Sequence, residues 1–173
     1  MPTVRLSFTP APAHVRTARL VGVAVARRAG VAPELFDEIR LAIGEACSRA
    51  VALHHDHSIP DLVEVALGDD ERFTVRVIDR APIDAALSQA LNDPAELADP
   101  VALLEAPDEG ATTAGASEAQ AASEEAVTVG MRLALLAGLV ENLTVRPADH
   151  GPGTEVLMSW PAASGRTGAG GRG

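Results

Sequence analysis

Glu45 and Arg49 stand four residues apart in the run Glu45-Ala46-Cys47-Ser48-Arg49, which places a carboxylate and a guanidinium on one face of a helix. The pair offers a proton acceptor next to a fork of five donors that has no lone pair of its own. Its simplest form is an ion pair worth about 0.2 to 0.5 kcal/mol. His54, His55, Asp56 and His57 are metal-ligand types. Adjacent side chains point in different directions, however, and a helix C-terminus favours histidine through its dipole. No second cluster with ligand spacing follows, so no metal site is expected. Cys47 falls among small apolar residues and reads as a core thiol rather than a nucleophile. Asp79 closes a strand pattern, where a carboxylate can be a turn residue or a hydrogen-bond acceptor. Gly130 precedes a helical pattern, and Arg132 is the first base after a long acidic run.

The elements that must position these residues follow from periodicity. Val4, Leu6 and Phe8 alternate with Thr3, Arg5 and Ser7, a strand with one wet face. From Ala13 to Ala29 apolar residues recur at three and four (Val15, Ala18, Gly22, Val25), and Gly30 follows as a stop. Arg16 and Arg27 share a stripe of that helix, a solvated face or a partner surface. Pro33 suits the start of a second helix, with Glu34, Asp37 and Glu38 at its positive end. Leu35, Ile39, Ala42, Ala46, Ala50 and Leu53 form its buried stripe, running to about His54. Leu62 to Leu67 and Arg72 to Ile78 read as a hairpin around Gly68-Asp69-Asp70-Glu71. A helix is expected over Val127 to Asn142, then strands over Leu143 to Arg146 and Thr154 to Trp160. Because the hairpins are antiparallel and the helices clustered, the expected fold is an α+β two-layer sandwich: a mixed, mostly antiparallel sheet with helices on one face.

Charge separates one segment from the rest. All 14 basic residues of the 173 are arginine, and Ala81 to Met131 contains no Arg, Lys or His but 10 acids. The net charge of −10 therefore resides there. An acidic run repels phosphate backbones, and aromatic residues are only 2%, so direct nucleic-acid binding is not expected. Proline at 94, 100 and 107 and an Ala/Gly/Ser/Thr/Glu tract mark 84–126 as an insert or lid in a domain over 1–160, with 161–173 a disordered tail. No apolar stretch approaches the ~18 residues of a membrane span. With one cysteine and no leader pattern, a cytoplasmic location is expected.

The order of elements, with Glu38-Ile39-Arg40-Leu41-Ala42-Ile43-Gly44-Glu45-Ala46-Cys47-Ser48-Arg49-Ala50-Val51 on the second helix, resembles the ATPase fold of sensor histidine kinases and Hsp90. The likeness is to its small anti-sigma-factor branch, serine kinases that sequester a sigma factor and phosphorylate a STAS-domain antagonist. Val77-Ile78-Asp79 and Gly153-Thr154-Glu155-Val156 match further landmarks. The resemblance covers 3–80 and 127–160. It implies Glu45 as general base toward a serine hydroxyl, Asp79 as acceptor of the adenine amino group, Gly130 and Thr154 at the nucleotide, and a homodimer.

Three positions depart from that pattern. Arg49 stands where the family has an asparagine that binds Mg²⁺, and a guanidinium cannot ligate a metal. It is read either as the partner of Glu45 or as a direct phosphate contact. Asp79-Arg80-Ala81-Pro82-Ile83 replaces Asp-x-Gly-x-Gly, returning Cβ atoms where backbone must approach a ligand. Arg132 replaces the second glycine of the phosphate loop, and serves either as a phosphate contact or to neutralise neighbouring acids. Phosphoryl transfer relies on metal and positioning, so three simultaneous losses point to a degenerate site in which ATP is at most a retained ligand and Mg²⁺ is not expected. The expected function is anti-sigma-like binding of a sigma factor, a STAS-domain antagonist or both, with kinase activity weakened or lost. The alternative is an active serine/threonine kinase.

Overall fold

The computed structural model describes residues 3–83 and 135–162. Strand β1 (Thr3–Phe8) leads into helix α1 (Pro12–Arg28), then through a 3-10 turn (Pro33–Leu35) into α2 (Phe36–Asp56). β2 (Val63–Asp69) and β3 (Arg72–Ile78) follow as a hairpin. The chain continues with helical residues 135–139, then β4 (Asn142–Pro147) and β5 (Thr154–Pro161). The insert over 84–126, the start of the helix expected from Val127, the positions Gly130 and Arg132, and the tail beyond 162 lie outside the described residues.

The sheet has the order β1-β2-β3-β5-β4, and every described pairing is antiparallel, so the expected mixed sheet is corrected. The reason lies in the connection between β1 and β2. Two helices running in opposite directions return the chain to the end it left, so β2 must run back alongside β1. The helix expected to reach Asn142 ends by Leu139, because Asn142 already pairs with Ser159 in the sheet.

One sheet face and both helices share a core. Val63, Val65 and Leu67 of β2, Phe73, Val75 and Val77 of β3, and Val156, Met158 and Trp160 of β5 are buried, one residue in two as a half-buried strand requires. Against them lie Val15, Ala18 and Ala26 of α1 and Ile39, Ala42, Ile43, Ala46, Cys47 and Ala50 of α2. The helices touch closely: a Cβ on Gly22 would come within 2.2 Å of Ile43 Cδ1. The Trp160 indole N–H donates to Glu38 Oε1 at 2.6 Å and fixes the first turn of α2 to the sheet. The opposite sheet face carries Arg5, Glu64, Arg76, Glu155 and Arg146 in alternation with the core residues.

Candidate functional site

α2 lies over the sheet so that its fourth turn meets the end of β3 and the start of β5. The β3–β5 ladder pairs Ile78 with Glu155, which brings Asp79 opposite Thr154, and the Asp79 amide donates to the Thr154 carbonyl at 3.0 Å. This approach depends on Gly153. Its φ of +114° disfavours any side chain, and a Cβ there would fall 1.9 Å from the Asp79 carbonyl oxygen.

Arg49 reaches from α2 into this junction. Its Nη1 donates to Asp79 Oδ2 at 2.8 Å and its Nη2 to Thr154 Oγ1 at 3.0 Å. The Thr154 hydroxyl donates in turn to Asp79 Oδ2. The other carboxylate oxygen, Oδ1, accepts the amides of Ala81 at 3.1 Å and Thr154 at 3.3 Å. A carboxylate has about four lone-pair sites, and all four of Asp79 are engaged by its own chain. Arg49, Asp79 and Thr154 are each 1% exposed. The Arg49 Nε is buried without a partner.

One expectation is corrected here. Arg49 does not pair with Glu45, although the spacing allows it, because a buried carboxylate and hydroxyl offer the guanidinium a better-defined acceptor pair than a half-exposed neighbour. Each terminal nitrogen of Arg49 makes one hydrogen bond inside the cluster, Nη1 to Asp79 and Nη2 to Thr154. Glu45 is half-buried and has no hydrogen bond or ion pair among the described residues. Thus Arg49, Asp79 and Thr154 come together, with Glu45 one turn before Arg49 on α2, while Gly130 and Arg132 lie outside the described residues.

Beside this junction, Ala81 is buried with Leu53 and Ile59 in a small apolar cluster. His54, at the buried end of α2, accepts the Arg80 amide at Nε2 (2.8 Å). Its Nδ1 must then carry the proton, which it donates to the Asp61 carbonyl at 3.0 Å. Both ring nitrogens are engaged by backbone. Reading the histidine cluster for metal ligands missed this tie between α2 and the segment after β3. Its signal was the four-residue spacing from Ala50, which continues the buried stripe. Cys47 is fully buried, which pushes its thiol up to about 12 against the opposing charge of Arg19. It is a core residue at neutral pH.

From the end of β1 into β5 the chain matches a known family. The family model described as histidine kinase-like ATPase domain matches residues 8–160. The chain belongs to that family. A search of curated proteins gives no match. The α+β sandwich with helices on one side of an open five-stranded sheet is the fold of this ATPase domain. Among the described residues no helix is long and apolar enough to cross a membrane. In this ATPase-like domain the α2–β3–β5 junction is a buried cluster in which both carboxylate oxygens of Asp79 are engaged while the Arg49 Nε is not, and Glu45, one turn away, is unengaged among the described residues.

Proposed function

We propose that this chain is an anti-sigma-factor-like regulatory protein, which binds a sigma factor, a STAS-domain antagonist or both, and in which ATP-dependent phosphoryl transfer is weakened or lost. The observation that carries the loss is the Arg49–Asp79–Thr154 cluster. An incoming amino group would need a lone pair on Asp79, and all of them are taken by the chain's own donors. Displacing Arg49 would leave a buried charge unpaired, a cost of several kcal/mol. A guanidinium at that helix position also brings no oxygen or nitrogen lone pair to a magnesium ion. The assignment to the anti-sigma branch rests on the likeness of the Glu45-Ala46-Cys47 helix and on the acidic composition, which favours protein partners over phosphate backbones. A homodimer, by the same likeness, is part of the proposal.

One observation favours the rival reading of an active serine/threonine kinase: Glu45 is unpaired among the described residues and so is free to act as a base. Calorimetric titration of the full chain with ATP, with and without Mg²⁺, separates the two. The expected result is no Mg²⁺-dependent saturation and no phosphate on a STAS-domain serine. Phosphate transfer that disappears in Glu45→Ala would establish the kinase instead. Capture of an RNA polymerase sigma subunit or a STAS protein on the immobilised chain, identified by mass spectrometry and repeated with purified components, tests the binding role.

A further inference from the structure

The face of the sheet turned away from the helices holds a cavity of about 340 Å³ between β1, β2, β3 and the β4–β5 turn. That volume lies at the lower end of the ~300 to 1,000 Å³ typical of small-molecule sites. Its floor has a simple origin in the strand register. Arg5 pairs across to Ala66, and Ala66 across to Arg76, so one small residue separates two long cationic side chains on the same face. Ile78, one pleat further along β3, adds an apolar surface beside Ala66.

The charges around the cavity are unequally matched. Arg76 is held by Glu155, with Nε to Oε1 at 3.0 Å and Nη2 to Oε2 at 2.5 Å. Arg80 is held by Glu64 at 2.6 Å and by the His150 carbonyl. Arg146 supplies Glu155 with a second cation at 2.8 Å and stands 3.7 Å from Asp149. Arg76 and Arg146 thus balance Glu155 and Asp149, and Arg80 balances Glu64. Arg5 is left over: it is exposed and has no acceptor among the described residues. Counting Arg146, which contacts Glu155 and Asp149 from outside the lining, four arginines face three carboxylates, so the surroundings of the cavity carry one surplus positive charge, and Arg76 and Arg80 are already oriented by carboxylates.

We infer that this cavity is a binding site for a compact monocarboxylate. Arg5 supplies the fork of donors for the carboxylate oxygens, and Ala66 and Ile78 receive a short hydrocarbon body. A dianionic phosphate fits less well, because Glu64, Asp149 and Glu155 all line the same space and only one charge is uncompensated. The carboxylate can belong to a free organic acid or to a glutamate side chain presented by a peptide. The site is separate from the Arg49 cluster, which lies on the helix-covered side of the sheet, and does not depend on the function proposed for that cluster.

The test is an NMR titration of the full ¹⁵N-labelled chain at low salt with butyrate, N-acetylglutamate amide, butyramide and inorganic phosphate. The expected result is saturable movement of the Arg5, Ser7 and Ala66 amides with either carboxylate. The tighter of the two identifies the source of the group. Neutral butyramide should leave these amides in place. Arg5→Gln should weaken carboxylate binding about tenfold or more, the loss of a charge-assisted fork, and Arg5→Lys should retain part of it. Because Arg5 is exposed, both variants keep the fold, which the unchanged remainder of the spectrum verifies. Absence of saturation with both carboxylates, equal response to butyramide, tighter binding of phosphate, or an unchanged affinity in Arg5→Gln each overturns the assignment.

Discussion

The two faces of the sheet each carry an arginine–carboxylate centre, and the two centres are built for different conditions. Under the helices, Arg49 and Asp79 are both 1% exposed and form a single pair closed off by Thr154. On the open face, Glu155 is equally buried, yet its partners Arg76 and Arg146 have side chains 38% and 45% exposed. In the first centre neither charge can return to water, so each depends on the other. In the second, the arginines reach solvent and the anion has two of them. Residue type does not set the energetic role of an ion pair; access of its members to water does.

The largest effect should come from breaking the closed pair. Asp79→Ala strands the Arg49 guanidinium in the core and is expected to cost about 3 to 5 kcal/mol in urea unfolding. Arg49→Met combined with Asp79→Ala removes both charges and should recover most of that loss, so that the double variant loses far less than the sum of the single ones in the double-mutant cycle. Additive losses would mean that the pair is not closed to solvent. Gly153→Ala attacks the same centre through the backbone. A non-glycine residue at φ +114° costs about 1 to 3 kcal/mol by itself. The Cβ collision with the Asp79 carbonyl adds to it, so the cost should exceed that of any alanine substitution on the exposed surface.

The contrast between the two centres also marks what could be read from the sequence. The strands and the first two helices were legible to within a few residues because Val63, Val65 and Leu67, or Ile39, Ala42 and Ala46, repeat with the period of their element. Glu45, Arg49, Asp79 and Thr154 were singled out as residues, but the contact that joins three of them was not. Arg49 and Thr154 are 105 positions apart, and local spacing offered Arg49 a nearer partner in Glu45. The choice between them is made by tertiary burial, which no pattern along the chain encodes. The antiparallel direction of β1 and β2 required knowing that α1 and α2 return the chain to the end it left, whereas that of the two hairpins was legible from their turns. The open-face centre was missed for a related reason. Arg76, Arg146 and Glu155 each occupy an outward strand position, where polar residues are unremarkable one at a time. Only the β3–β5–β4 register brings them side by side.

A smaller effect is expected at the open face, and it should depend on salt where that of the closed pair does not. Glu155→Gln is expected to cost about 1 to 2 kcal/mol, since two charge-assisted contacts are lost while Arg76 and Arg146 can still hydrate. The cost should shrink as salt rises from low to several hundred millimolar, whereas that of Asp79→Ala should change little. Burial pushes the Glu155 carboxyl up, but hydrogen bonds from Arg76 and Arg146, followed by their charges, outweigh it and hold the group below its ordinary value. The unfolded chain therefore takes up a proton at higher pH than the folded one. The stabilisation is fully present above the ordinary glutamate range near ~4.3 and is lost as pH falls through the lower folded value. Unfolding free energies of wild type and Glu155→Gln should accordingly differ at pH 7 and converge below about pH 4. A cost of Glu155→Gln that persists unchanged at high salt would place Glu155 in the same class as Asp79, sealed from water, and the distinction between the two faces would fail.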